Sequence, residues 1–141
     1  MTERLANCAC GRFQLRCQGE PRRVSICHCP DCQRRTGSAY GIAAFFERDQ
    51  VRVVQGAPKL FTRNSASGNP VSFHFCPECG STVMWEPERL PGLIGVAVGA
   101  FADPLFPAPA QSVWTGCKHA WVNLPDEMPV FAANPPPRPG G

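Results

Sequence analysis

The chain has no apolar stretch long enough to span a bilayer, no internal repeat and a single tyrosine. Its longest apolar run, GLIGVAVGAF from Gly92 to Phe101, is about half of the roughly 20 residues that a membrane helix needs. It reads as a buried strand, and no membrane partner is expected. The opening MTERLANCACG carries no apolar core of a secretory leader, so a cytoplasmic, reducing setting is the expectation. With no self-similar period, solenoid and propeller architectures are excluded. One tyrosine and three tryptophans, not interleaved with basic residues, argue against the stacking platform of a single-strand nucleic-acid binder. Trp85, Trp114 and Trp121 could line a site entrance, but core or sheet packing is the favoured reading and no role is assigned to them.

Turn-forming residues are plentiful instead. Sixteen prolines and thirteen glycines in 141 residues exclude a helical bundle and favour short strands joined by turns. GRFQLRCQG alternates Phe13, Leu15 and Cys17 with polar residues, as a half-buried strand does, and places Cys17 in the core. RRVSICHC, AYGIAAFFE, VRVVQG, STVMWE and SVWTG read as further strands, and KLFTRNSASGNPVSFHFC as a hairpin. CQRRTGS suits one helical turn stopped by Gly37. One mainly β domain is expected over residues 3–133, followed by a Pro/Gly-rich, disordered tail over 134–141.

Nine cysteines are the chemical anomaly. An odd count with C-x-C and C-x-x-C spacing favours metal ligation over a disulfide scaffold. Seven of them fall into three groups: Cys8 and Cys10; Cys27, Cys29 and Cys32; Cys76 and Cys79. A C-x-x-C turn aims two sulfurs at one ion while its backbone N–H groups stabilise the thiolates. Two pairs far apart in sequence make the four ligands of a structural zinc, so Cys8 and Cys10 are paired with Cys76 and Cys79. This staple would add stability that a small core lacks.

The triplet Cys27, Cys29 and Cys32 then stands alone. Its fourth position has three side-chain candidates, His28, His74 and Cys117, or stays open to water or a substrate sulfur; the open site is preferred. Three thiolates on Zn²⁺ make a weak Lewis acid that still collects a soft sulfur ligand and lowers its pKa. Thiol chemistry is favoured over hydrolysis. The formal charge of +3 falls near zero once seven thiolates hold two Zn²⁺, which speaks against nucleic acid as a partner. The basic cluster Arg22, Arg23, Arg34 and Arg35 remains, and Arg34 and Arg35 are the candidates to bind a thiol's carboxylates.

CACG, CHCPDCQRRTGS, FHFCPECGS, IGVAVGAFADP and KHAWVNLPDEMPVF, in that order, resemble the glutathione-dependent formaldehyde-activating enzyme family, whose domain is shared with a centromere protein. The resemblance implies a β-tent fold of small antiparallel sheets around zinc. It implies a structural ion on Cys8, Cys10, Cys76 and Cys79 and a catalytic one on Cys27, Cys29 and Cys32. It also implies a carbon–sulfur lyase that condenses glutathione with formaldehyde to S-hydroxymethylglutathione. The chain departs from the family pattern at Ala102, where an acidic residue usually precedes the aspartate (here Asp103), and at Cys117, where a serine often precedes lysine (here Lys118).

The expected function is therefore an enzyme holding two Zn²⁺ per chain, with glutathione or a similar thiol and a small aldehyde as substrates. A thiol-binding carrier without turnover uses the same residues and is the alternative. A zinc-built interaction module would need both sites closed. Redox chemistry at Cys117, beside Lys118 and His119, is a further reading. Edge strands leave room for a homodimer.

Overall fold

A computed structural model of the chain describes residues 1–136. Of the tail expected to be disordered, residues 137–141 lie outside the described residues. Ten strands and one helix follow in the order β1 (Glu3–Asn7), β2 (Gln14–Gln18), β3 (Arg23–Cys27), α1 (Pro30–Thr36), β4 (Gly41–Glu47), β5 (Val51–Gln55), β6 (Lys59–Asn64), β7 (Pro70–Phe75), β8 (Thr82–Pro87), β9 (Leu93–Ala97) and β10 (Gln111–Val113). They form a three-stranded sheet, β1-β2-β5, and a seven-stranded sheet, β10-β3-β4-β9-β8-β7-β6. The chain is mainly β, as expected, but one sheet is larger than anticipated and not wholly antiparallel. β10 pairs parallel to β3, with Val113 opposite Cys27.

Strand alternation decides what each face of the large sheet carries. Val24 and Ile26 of β3, Ala44 and Phe46 of β4, and Ile94 and Val96 of β9 are all buried. All of these except Ile26 join Ala6, Phe13, Leu15 and Cys17 in the main core. Phe13, Leu15 and Cys17 are each at most 1% exposed, which matches the alternation read from GRFQLRCQG. Full burial of a side chain such as Phe46 contributes about 1.5–3 kcal/mol, and truncating it to alanine would cost about 3–5 kcal/mol. The residues out of phase with this set point to the opposite face. There Val71, Phe73 and Trp85 form a second cluster, packed against Ala43 and Ala97.

Two expectations shift. The run from Gly92 to Phe101 is a strand only over Leu93–Ala97 and then tightens into a 3-10 turn over Val98–Phe101. SVWTG pairs only as far as Val113, because Trp114 adopts a left-handed backbone (φ 56°, ψ 38°) that ends the strand. The helix of CQRRTGS spans Pro30–Thr36 and is capped by Gly37 at φ 65°, a conformation glycine adopts without steric cost. Among the described residues no helix is long and apolar enough to cross a membrane.

Candidate metal centres and the arginine cleft

Two knuckles build the first thiol group. After β1, the amide of Cys8 donates to Phe13 O (2.9 Å) and that of Gly11 to Cys8 O (3.1 Å), curling Cys8 and Cys10 toward one point. After β7, Gly80 N donates to Cys76 O (2.8 Å) and Cys76 N to Ser81 O (3.0 Å). Ser81 ties the two together, its Oγ accepting from Ala9 N at 3.1 Å and lying 3.4 Å from Cys79 Sγ. The sulfurs of Cys8, Cys10, Cys76 and Cys79 all fall within 4.8 Å of one another. Cys8–Cys10 at 3.6 Å and Cys10–Cys76 at 3.7 Å are far beyond a disulfide bond of about 2.05 Å, and all nine cysteines are free thiols.

Within this group the hydrogen bonds pull some thiols down and push one up. The Ser81 hydroxyl, then its amide, pull the Cys79 thiol down to about 5. Burial opposes ionisation of Cys8, but the Phe13 amide and the Cys10 thiol outweigh it and leave Cys8 below its usual value. At Cys10 the Arg12 amide favours the thiolate, yet burial and three neighbouring sulfurs push the thiol up to about 11. Four converging sulfurs, some ready to ionise and one restrained mainly by its neighbours, fit a dication that neutralises them together.

The second group lies on the other face of the large sheet. Alternation along β3 puts Arg23, Ser25 and Cys27 on that face. Cys29 is the N-cap of α1 and its Sγ accepts from Cys32 N at 3.4 Å, with Pro30 opening the helix. The sulfurs of Cys27, Cys29 and Cys32 lie within 4.8 Å of one another. Contacts from the Cys27 and Cys32 thiols hold Cys29 far below the ordinary thiol range, while the same sharing pushes Cys27 up. This donor set too could coordinate a metal.

Among the described residues no fourth Cys, His, Asp or Glu completes this cluster. His28 is fully buried and turned away, with Nε2 2.7 Å from Ser112 Oγ. His74 pairs in register with Met84, a core residue, and its Nε2 lies 3.5 Å from Glu86 Oε2. Cys117 meets α1 through its carbonyl, which accepts from Gln33 Nε2 at 3.3 Å; its thiol is not part of the group.

Cys27, Cys29 and Cys32 line a cleft that opens to solvent. Arg23, Arg35, Arg63 and Arg89 also line it, and Asp31 is the one acidic residue among the lining side chains. The guanidinium of Arg35 lies 4.3 Å from the Trp85 ring centroid and 5.8 Å from that of Phe73. It crosses directly over Gly41, where a Cβ would come within 2.7 Å of Arg35 Nη2. Its Nε is buried with no hydrogen-bond partner. Arg63 bonds Asp31 (Nη1–Oδ2, 3.1 Å) and lies 5.0 Å from the Phe73 ring centroid.

Of the two arginines expected to meet a thiol's carboxylates, Arg35 lines the cleft and Arg34 does not; Arg34 is exposed. Neighbours on a helix point about 100° apart, so one turn cannot aim both at the same ligand. Arg22 instead pairs with Glu47 at 2.7 Å. Arg63 and Arg89 had no local signal, because they reach the cleft from β6 and from the connection after β8. The three tryptophans fall in different places, with Trp85 also packed in the second cluster. Trp85 and Trp114 line the cleft, whereas Trp121 is 70% exposed and stacks edge-on with His119.

A crystal structure of a Rhodobacter sphaeroides protein, solved as a structural genomics target, shares this fold at a TM-score of 0.57 and 21% identity, covering 90% of this chain and 98% of that one. Residues 3–117 match the family model described as glutathione-dependent formaldehyde-activating enzyme, and the chain belongs to that family.

Proposed function

We propose that this member of the glutathione-dependent formaldehyde-activating enzymes uses the arginine cleft to join a thiol to a small aldehyde, with glutathione and formaldehyde as the first pair to test. The observation that carries the reading is a cluster of three thiols, lacking a fourth side-chain ligand, among the lining residues of a cleft that also holds four guanidiniums and one carboxylate. Zinc held by Cys27, Cys29 and Cys32 would supply an exchangeable position for a soft sulfur ligand and lower that sulfur's pKa. The four-thiol group of Cys8, Cys10, Cys76 and Cys79 would hold a second zinc with a structural role.

The remaining work falls to the chain itself. Glutathione carries two carboxylates and one ammonium. Arg35, whose guanidinium sits over the Trp85 ring and over Gly41, lines the cleft and is placed to receive a carboxylate. A charge-assisted hydrogen bond of this kind contributes about 1.5–3 kcal/mol. Asp31 offers the one negative group to the ammonium, with Arg63 fixing its direction. The apolar side of the cleft, Val71, Phe73 and Trp85, excludes water and keeps thiol and aldehyde together. In the condensation a carbon–sulfur bond forms, the carbonyl becomes a hydroxyl, and the thiol proton ends on that oxygen. No electron donor or acceptor is required.

Exchange NMR on mixtures of glutathione and formaldehyde tests this. The zinc-loaded protein is expected to speed adduct formation and breakdown above the spontaneous rate. Binding of glutathione with no acceleration would make the protein a thiol carrier instead.

A further inference from the structure

The cleft has one wall built from chain beyond the region that the family model covers. From Pro129 to Asn134 the backbone runs beside β10 and the turn after it. Ser112 N donates to Pro129 O (3.0 Å), Phe131 N to Ser112 O (3.0 Å), Thr115 N to Phe131 O (3.0 Å) and Trp114 N to Ala133 O (3.2 Å). The Thr115 hydroxyl also donates to Phe131 O at 3.1 Å. The last tie is a side-chain latch: the indole Nε1 of Trp114 donates to Asn134 Oδ1 at 3.0 Å. Trp114, Asn134 and Pro135 then line the same cleft as the three thiols.

Trp114 is held in a conformation that bulky residues rarely adopt. Its φ is 56°, and among the described residues only Ala102 joins it as a non-glycine at positive φ. Such strain persists where surrounding structure over-determines it and clusters at functional sites. Here the left-handed residue directly follows Val113, which pairs with Cys27, and its indole lines the cleft while bonded to Asn134. The indole's single donor is spent on the latch, so what the ring offers the cleft is apolar surface. Ser65 and Ser67 of the β6–β7 loop and Arg89 after β8 line the cleft too.

We propose that the segment Pro129–Pro135, latched by Trp114, is a fixed wall that sets which thiols the cleft admits, favouring glutathione over thiols with larger bodies. The proposal rests on the thiol-binding reading of the cleft and adds a selectivity element to it. Selectivity of this type comes from a clash with the wrong ligand more than from a new contact with the right one.

The test is calorimetric titration of the zinc-containing protein with glutathione and with coenzyme A as a larger thiol. Four forms are compared with the full chain: a chain ending at Pro136, which keeps the wall; a chain ending at Ala133, which removes Asn134 and Pro135; Asn134→Ala; and Trp114→Phe, which keeps a ring but loses the donor. Zinc content and melting temperature are measured on each. The full chain and the Pro136 form are expected to prefer glutathione by at least about tenfold, a modest value for pocket discrimination. The Ala133 form should cut that ratio to below about threefold, with Asn134→Ala and Trp114→Phe in between. The same ratio in all five proteins, or no preference in the full chain, overturns the wall. Thiol binding with an unchanged ratio leaves the proposed function standing, whereas no thiol binding by the full chain removes both. If a form loses zinc or melts early, the ratio in the other latch variant decides.

Discussion

The two thiol groups are assembled from the same donor atom in different ways. Cys8, Cys10, Cys76 and Cys79 are drawn from two knuckles 66 or more residues apart, and Cys8 and Cys76 belong to the main core. Cys27, Cys29 and Cys32 come from six consecutive positions on one strand end and one helix turn. The first group closes a long loop, so an ion there would oppose unfolding. The second closes almost no loop and lies on the wall of an arginine-lined cleft, so an ion there would add little to the fold and remain open to a ligand. Under the proposed function, sequence separation, more than the number of sulfurs, would divide staple from site.

The largest expected effect comes from breaking the staple. Cys76→Ser should release its ion and leave a chain that is unfolded or melts far below the wild type, because loss of a structural zinc site removes several kcal/mol of folding free energy. A near-wild-type melting curve by circular dichroism would erase the proposed division of roles.

Next in size is a change confined to the cleft. Arg35→Ala should weaken glutathione binding by about tenfold or more, the value of one charge-assisted hydrogen bond, with melting temperature nearly unchanged. Arg34→Ala should alter neither. Arg35→Lys should recover only part of the affinity, since an ammonium lacks the guanidinium's fork of donors and does not reproduce its contact with the Trp85 ring. Equal effects at 34 and 35 in titration calorimetry would mean that the cleft lining does not choose between them.

The smallest effect lies outside both groups. Burial pushes the Cys17 thiol up from 9.0 to about 12, so the folded chain keeps a proton that the unfolded chain loses above its usual thiol value. That contribution is fully present below about pH 9 and is lost as pH rises from about 9 to about 12, with a slope of up to about 1.4 kcal/mol per pH unit. Urea midpoints at pH 8 and 10.5 should fall more for the wild type than for Cys17→Ser, whose hydroxyl does not ionise there. Parallel falls would assign the alkaline loss to the metal ligands instead.

Much of this was legible in the sequence because its causes are local. Spacing alone set the three cysteine groups, alternation set Phe13, Leu15 and Cys17 into the core, and Gly37 marked the end of α1. Events between distant segments were not legible. The parallel pairing of β10 with β3, which brings Val113 beside Cys27, follows from tertiary packing. So do the arrival of Arg63 and Arg89 at the cleft and the choice of Arg35 over Arg34, which depends on Gly41 leaving room for a guanidinium. Trp114 looked like a packing residue because nothing nearby in sequence reveals a backbone turned left-handed by partners at 133 and 134.

The most direct test of the division between staple and site is zinc per chain, by elemental analysis, in the wild type and in Cys32→Ser. Two independent sites predict a fall from about two ions to about one, with the circular dichroism spectrum and melting curve retained. Loss of both ions together with the fold would contradict the account.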